Sequence, residues 1–175
     1  MNFFKHLKTV TRHRREVRKL CFKCGLIRQG LTHDLSKFSR AEFKAGVKYY
    51  QGYRSPQAKE REVLGYSAAW LHHKGRNKHH AEYWTDSGGV GAISPVAMPP
   101  RYLAEMVCDR IAASKIYKGE NYHDGCPLEY FEERKGRVVM HPKTAEKLEY
   151  FLTMLKDEGE KKTLKELKKF VKENK

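Results

Sequence analysis

Apolar residues recur at intervals of three and four over most of this chain, and this spacing limits its fold more than any other feature. An α-helix repeats about every 3.6 residues, so the spacing places apolar side chains on one helical face. In the first 25 residues the series comprises Phe3, Leu7, Val10, Val17, Leu20 and Cys24. No segment of convincing length alternates as a half-buried strand does. The pattern therefore predicts an all-α fold.

Residues that cap or interrupt helices set the predicted boundaries. Ser39 followed by Glu42 forms a capping box, and Ser55-Pro56 is a typical helix start. The first predicted helix ends near residue 25. Further helices are predicted over about 39–51, 55–75, 100–118 and 141–156, and Thr163 caps a last one. Residues 85–99 are rich in glycine and proline, and we interpret them as a loop that acts as a lid.

The formal net charge of +15 favours acidic partners. Cations dominate the first helix, where Glu16 is the single acid among Lys5, Lys8, Arg12, Arg14, Arg15, Arg18, Lys19 and Lys23. Net charge alone does not separate a nucleic-acid surface from a pocket for a phosphorylated small molecule. Both partners stay open on this evidence.

The chain lacks the apolar run of a secretory signal, and no stretch approaches the length of a membrane span. We therefore expect a cytoplasmic protein without membrane contact. Because that compartment is reducing, free thiols are expected at Cys21, Cys24, Cys108 and Cys126.

Two titratable residues occupy apolar helical faces. Asp109 shares a face with Met106, and His13 shares one with Val10, so both side chains should point into the core. Taken singly, each also fits an ordinary buried pair or a core histidine. His6 lies on a similar face and is an alternative to His13.

The dipeptide His33-Asp34 lies between two predicted helices, with Lys37 three residues beyond Asp34. Adjacent imidazole and carboxylate groups can meet one cation if the backbone turns at that point. A second such dipeptide, His123-Asp124, is interpreted as part of a turn.

Four of the nine histidines fall within HHKGRNKHH, residues 72–80. Neutral imidazoles around a divalent cation would explain this density among lysines and arginines, because the ion suppresses protonation. We expect one ligand from each doublet, although an exposed polar segment is the alternative. The full predicted ligand set is His13, His33, Asp34, His73, His79, His80 and Asp109. Such nitrogen and oxygen donors suit one or two ions of Mn, Fe, Co, Ni or Zn.

The order His13, then His33-Asp34, then Asp109 resembles the signature of the HD-domain superfamily of metal-dependent phosphohydrolases. Members with two or more metals add histidines where residues 72–80 fall. The segments HDLSKFSRAEF, AWLHHKGRNKHHAEYW and MPPRYLAEMVCDRIAASKIY also resemble a family of short uncharacterised bacterial and phage proteins over most of residues 10–155. The resemblance implies a single HD-like helical bundle, which we place at residues 1–158. Residues 159–175 mix lysines with glutamates, and we interpret them as a charged, solvated helical tail.

By this resemblance the protein hydrolyses a nucleotide or a related small phosphate ester with metal-activated water. Asp34 would bridge the ions and act with Lys37 in catalysis, and Asp109 would be a terminal ligand. Lys37, with Arg76 and Arg110, would bind phosphate. HDxxK is also found in cyclic-dinucleotide phosphodiesterases, but their Gly-Tyr-Pro signature is absent, so that substrate is not implied.

Two other functions remain open. One is a nucleic-acid-binding module that uses the basic first helix without catalysis. The other is a di-iron oxygenase of the HD type. Tyr83 and Trp84 are interpreted either as core aromatics or as a platform for a base.

Overall fold

The computed structural model describes residues 2–89 and 91–174 and is mostly helical. Its α-helices are α1 (Asn2–Lys23), α2 (Ile27–Thr32), α3 (Arg40–Lys48), α4 (Pro56–Leu64), α5 (Ala68–Lys74), α6 (Pro100–Lys118), α7 (Cys126–Arg134) and α8 (Pro142–Glu173). Short 3-10 helices cover Leu35–Phe38, Ala81–Tyr83 and Gly119–Asn121. The predicted helical class is confirmed in this coarse sense.

The long helices α1, α6 and α8 surround the hydrophobic core. Apolar faces of α1 and α6 pack on each other, and α8 covers them from one side. Val17, Ile111 and Leu152 are fully buried at this contact. Helices α3 and α5 pack together beside α1, on the part of the fold that carries most of the histidines. The periodic apolar faces predicted for α1 and α6 are therefore the faces that form the core.

Two short strands pair within the segment where we expected a loop, of which residues 85–89 and 91–99 are described. Strand β1 (Thr85–Ser87) pairs antiparallel with β2 (Ile93–Pro95), and Thr85 lies opposite Pro95. Each strand has three residues. Such short strands contain too few positions to show alternation in a sequence.

The single helix predicted over residues 55–75 is wrong, because the chain forms two helices there. Gly65 ends α4 in the left-handed region with φ of 78°. Ser67 then starts α5, since its side chain accepts a hydrogen bond from the Trp70 amide at 3.0 Å. Residues 55–75 therefore contain two separate helices.

The C-terminal segment is helical, as predicted, but one of its faces belongs to the core. Gly159, with φ of 80°, breaks α8 close to the predicted junction at residue 158. Beyond this break Leu164 and Leu167 are buried in the main cluster, and the Cys24 thiol donates to the Leu164 carbonyl at 3.7 Å. The segment is thus amphipathic rather than solvated on all sides.

Helices α2 and α7 lie in stretches for which we predicted no helix. Helix α2 has six residues and α7 has nine, so neither gives a long periodic signal.

All four cysteines are buried and free, as expected. Within residues 2–89 and 91–174, no helix has both the length and the apolar character required to cross a bilayer.

Candidate metal centre

Side chains from α1, α5, α6 and two connecting turns converge on Asp34. They form two groups whose donor atoms lie within 4.8 Å of one another. The first group is His13, His33, Asp34 and Asp109, and the second group is Asp34, His73, His79 and His80. These seven residues are the complete ligand set predicted from the sequence, and the two groups share Asp34.

The backbone at Asp34 explains how two neighbouring residues reach one centre. Asp34 has φ of 53°, and it is the only residue other than glycine with positive φ in the described parts of the chain. Aspartate adopts this left-handed conformation more readily than most residues. The turn brings the His33 imidazole within 3.4 Å of the Asp34 carboxylate.

Donor spacing in the first group matches the edges of a coordination polyhedron. The Nε2 atom of His13 lies 3.0 Å from Asp109 Oδ1 and 3.7 Å from Asp34 Oδ2. The Nε2 atom of His33 lies 3.4 Å from both of these oxygens and from His13 Nε2. Bonds of about 2.1 Å to a transition metal give edges of about 3.4 Å in a tetrahedron and 3.0 Å in an octahedron.

The second group contains two buried polar atoms that make no hydrogen bond within residues 2–89 and 91–174. Asp34 Oδ1 lies 3.4 Å from His73 Nε2 and 3.5 Å from His79 Nε2, while His73 Nε2 and His80 Nε2 are 2.9 Å apart. Asp34 Oδ1 and His79 Nε2 are both buried without a hydrogen bond from the described residues. Such atoms are costly to bury unless something binds them. A divalent cation between them would meet both at once, so the residues fit a metal.

Two glutamates hold the far sides of these imidazoles. Glu105 Oε1 lies 2.9 Å from His33 Nδ1 and 3.3 Å from His79 Nδ1, and so reaches both groups. Glu42 Oε2 lies 2.7 Å from His73 Nδ1. A carboxylate at Nδ1 favours the tautomer whose proton is on that nitrogen, which leaves Nε2 as a metal donor.

The protonation of the centre reflects its many carboxylates. Burial by itself raises the pKa of Asp34 and Asp109, but neighbouring imidazoles outweigh it, and both pKa values lie well below the ordinary range. Burial opposes charge on His33 too, yet Asp34 and other carboxylates hold its pKa well above the ordinary value. Burial, with His79 and His73, keeps the pKa of His80 low. A bound ion would replace the His33 proton.

Negative charge exceeds positive charge at this point in the fold. The four carboxylates of Asp34, Asp109, Glu42 and Glu105 surround the imidazoles. Lys37 neutralises one of them, since its Nζ lies 2.7 Å from Asp34 Oδ2. One or two divalent ions would balance the remaining charge without extra protons.

The centre opens into a cleft of about 520 Å³. Lys37 and Arg110 line this cleft, as expected of phosphate-binding residues. The pKa of Lys37 is raised, because Asp34 and Asp109 overcome the effect of burial. Arg110 keeps Nη1 buried without a hydrogen bond from the described residues, and burial lowers its pKa.

Arg76 lies outside the cleft, contrary to its predicted role in phosphate binding. It is exposed, and its Nη1 donates to the His72 carbonyl at 3.3 Å. The turn after α5 directs the Arg76 side chain to solvent. Its position between the histidine doublets in the sequence therefore did not place it in the cleft.

Tyr83 and Trp84 also lie outside the cleft, and Trp84 packs beside the core. Among residues 85–89 and 91–99, none lines the cleft as a lid would.

The two histidine doublets behave differently. In the first doublet His73 joins the second group, whereas His72 Nδ1 meets Glu42 at 2.6 Å. In the second doublet both His79 and His80 face Asp34, so the expectation of one imidazole from each doublet is wrong there. Both residues lie in a turn, where neighbouring side chains need not diverge as they do on a helix.

The remaining histidine alternatives lie apart from these groups. His6 lines the cleft but joins neither group, so His13 occupies the predicted first position. His123 and Asp124 precede α7 in a turn, as interpreted from the sequence. His123 is near Cys126 and Glu129, and both His123 and Glu129 are exposed.

Sequence reasoning missed Glu42 and Glu105. Glu42 was explained by its capping box, and only half of that motif forms: the Ser39 hydroxyl accepts from the Glu42 amide at 3.4 Å. Glu105 lies one helical turn before Asp109, a spacing that places both on one face. That spacing was the available signal for Glu105.

Comparisons with known proteins identify a family. A family model described as a family of unknown function, DUF5662, matches residues 2–154. Comparison with curated proteins and with solved structures gives no match. The matched range contains both groups and every residue that lines the cleft. Because the match covers most of the chain, the protein belongs to the DUF5662 family, whose function is unknown.

Proposed function

We propose that the protein is a metal-dependent phosphohydrolase that acts on a nucleotide or a related small phosphate ester. The observation that supports this most is the position of Asp34 between the first and second groups. Its Oδ2 faces the first group and its Oδ1 faces the second, so one carboxylate can bridge two ions. In an HD-like centre the aspartate of the His-Asp pair would take this bridging role.

The chain supplies the other requirements of phosphoryl chemistry. Divalent ions polarise a phosphoryl oxygen and lower the pKa of a bound water. Lys37 lines the cleft beside Asp34, where its ammonium group can neutralise charge that develops on phosphate. Arg110 offers a buried guanidinium nitrogen from the next position after Asp109. We assign Asp34 and Lys37 to catalysis, and Lys37 and Arg110 to phosphate binding.

The test begins with elemental analysis of protein purified without a histidine tag. Release of inorganic phosphate is then measured for nucleoside mono-, di- and triphosphates and for ribose 5-phosphate, with and without added manganese. We expect a transition metal in the protein and metal-dependent release from at least one ester. Protein that binds manganese at both groups and hydrolyses none of these esters would refute the proposal.

Lys37→Met sharpens the assignment. Because Lys37 is outside both groups, the variant should retain its metal while turnover falls by about 100-fold, as for loss of one group that stabilises a transition state. Lys44→Met is the matched control, since Lys44 is exposed on α3. Native turnover in Lys37→Met would remove Lys37 from the mechanism.

Nucleic-acid binding has separate support in the surface of α1. Lys8, Arg12, Arg15 and Lys19 are exposed at intervals of three and four, and so form one basic stripe. This function predicts salt-sensitive binding of RNA or DNA without turnover, measurable by fluorescence anisotropy.

An oxygen-dependent reaction of the iron-loaded protein would instead favour the oxygenase alternative.

A further inference from the structure

His6 is a buried histidine in the cleft wall that the proposed mechanism does not use. It lies on α1 with 7% of its surface exposed. Its ring occupies space that Gly46 on α3 leaves free, since a Cβ at position 46 would lie 2.1 Å from His6 Nε2. Any side chain at position 46 would displace the imidazole, so the glycine admits the ring to this position.

Neither ring nitrogen of His6 has a protein partner among the described residues. Nδ1 is fully buried and makes no hydrogen bond. Nε2, beside Gly46, makes none within residues 2–89 and 91–174 either. A neutral imidazole has one donor and one acceptor. Because Nδ1 is buried, Nε2 is the atom that His6 can offer to a ligand in the cleft.

The environment keeps His6 uncharged. Burial, followed by the positive charge of Lys37, lowers its pKa from 6.5 to about 4. A neutral imidazole does not attract phosphate by charge, whereas the ammonium group of Lys37 does. His6 is suited instead to the uncharged part of a ligand.

Tyr50 adds a second polar contact beside His6. The Thr9 hydroxyl gives its single proton to the Lys5 carbonyl at 2.9 Å. The 2.9 Å contact between Thr9 and Tyr50 must then use the tyrosine proton, which leaves the Tyr50 oxygen as an acceptor facing the cleft.

Aromatic rings lie beside His6 at this end of the cleft. The Tyr50 ring, which lines the cleft, has its centroid 6.0 Å from that of His6, and the Phe43 ring packs on His6 at 5.1 Å without lining the cleft. Tyr53 also lines the cleft and has 63% of its surface exposed. Flat rings beside free hydrogen-bonding atoms suit a heteroaromatic group, because stacking is insensitive to its identity while the polar atoms orient it.

The cleft runs from this end to the centre at Asp34. It contains His6, Thr9 and Tyr50 together with Lys37 and Asp34. A single ligand can therefore place a phosphate against Lys37 and an uncharged ring against His6. The volume of about 520 Å³ is within the range of pockets that enclose a whole small molecule.

Building on the phosphohydrolase function proposed above, we infer that the ester is a nucleotide whose base binds a subsite formed by His6, Thr9, Gly46 and Tyr50. His6 hydrogen-bonds an edge of the base, and Tyr50 accepts from it or stacks beside it. A sugar phosphate without a base leaves Nε2 of His6 unmatched, so it is the poorer substrate.

The experiment compares 5′-nucleoside monophosphates with ribose 5-phosphate in wild type, His6→Leu and Tyr50→Phe. The ratio of kcat/KM for the best nucleotide to that for ribose 5-phosphate should fall about tenfold in His6→Leu, the upper end of the loss expected from one hydrogen bond. Tyr50→Phe, which removes one oxygen, should lower the ratio less. His123→Leu is the matched control and should keep the wild-type ratio, because His123 is exposed before α7.

A binding measurement separates this inference from the proposed function. Saturation-transfer NMR with adenosine, guanosine, cytidine and uridine reports base binding without hydrolysis. Nucleoside signals that weaken in His6→Leu support the subsite even if no ester is hydrolysed, an outcome that would refute only the phosphohydrolase function. Metal-dependent hydrolysis with an unchanged ratio in His6→Leu, and no nucleoside binding, would refute the subsite and leave the phosphohydrolase function standing. An equal loss for both esters would show that His6 acts only in packing, and would also overturn the subsite.

Discussion

The first and second groups share Asp34 but are assembled in different ways. The residues of the first group come from α1, from α6 and from the turn after α2, and two of them are carboxylates. The second group takes three imidazoles from residues 73–80 and has Asp34 as its one carboxylate. Long-range packing thus builds the first group, whereas a short segment supplies most of the second. The difference predicts stronger binding of a divalent ion in the first group, because a second carboxylate adds attraction.

The two groups also differ in how well their atoms are satisfied without an ion. In the first group His13 and His33 lie within 3.4 Å of Asp109, so these polar atoms have partners within the protein. In the second group Asp34 Oδ1 and His79 Nε2 remain buried without partners in the described structure. Binding an ion should therefore order the second group more than the first.

The largest effect is expected from Asp34→Ala, which removes the only residue common to both groups. Both ions should be lost, together with all metal-dependent activity. Elemental analysis of the variant and of Asp157→Ala, an exposed aspartate on α8, measures the change. Full metal content in Asp34→Ala would end the view that the two groups form one bridged centre.

Removing one unshared residue from each group should cost one ion and keep the other. Asp109→Ala removes a carboxylate from the first group only, and His79→Ala removes an imidazole from the second only. Metal-to-protein ratios after gel filtration should fall by about half in each variant if both groups are filled. Loss of every ion in both variants would show that neither group binds independently.

Glu42 and Glu105, which contact the imidazoles at Nδ1, allow a finer test of how the two groups differ. Glu105→Gln weakens the contacts to His33 and His79, and so affects both groups, whereas Glu42→Gln affects His73 of the second group. We expect losses of about 10–100-fold in metal affinity, as for other carboxylates that orient ligating histidines. Competition with a chelator measures them. Equal weakening of both ions by Glu42→Gln would contradict its assignment to one group.

The smallest effect concerns His6, which belongs to neither group. Its folded pKa of about 4 lies below the ordinary 6.5, so the unfolded chain binds the proton more tightly. The associated stability is complete above pH 6.5 and is lost as the pH falls toward 4. Between pH 7 and pH 5 the loss should be about 1–2 kcal/mol, allowing for partial access to the cleft.

Urea unfolding at the two pH values, with chelator present, compares wild type with His6→Gln. The variant lacks the titrating ring, so its stability should fall less on acidification. Equal losses in the two proteins would show that the titration of His6 does not contribute.

Helical periodicity accounts for the parts of the site that were predicted. It placed His13 and Asp109 on inward faces, and both reach the same centre. It also placed His6 inward, but spacing could not tell which of the two histidines would meet Asp109. That choice depends on where α1 crosses α6, and His6 lies instead beside Gly46 on α3.

Residues in turns were harder to place. Arg76 and His80 lie in the same connection after α5, yet Arg76 is exposed and His80 faces Asp34. A turn has no repeat from which side-chain direction can be inferred. The break at Gly65 was missed for a different reason. The apolar residues on either side of it continue a helical pattern.

By itself, the sequence determined the helical class, the inward faces of the long helices and the kinds of donor atom available. These follow from local spacing and side-chain chemistry, which need no knowledge of distant contacts. Only the tertiary structure decided that Asp34 faces two groups, that Glu42 and Glu105 orient their imidazoles, and that His6 belongs to the cleft wall. The reason is that distances between side chains on different helices depend on how those helices pack, and packing involves the whole chain.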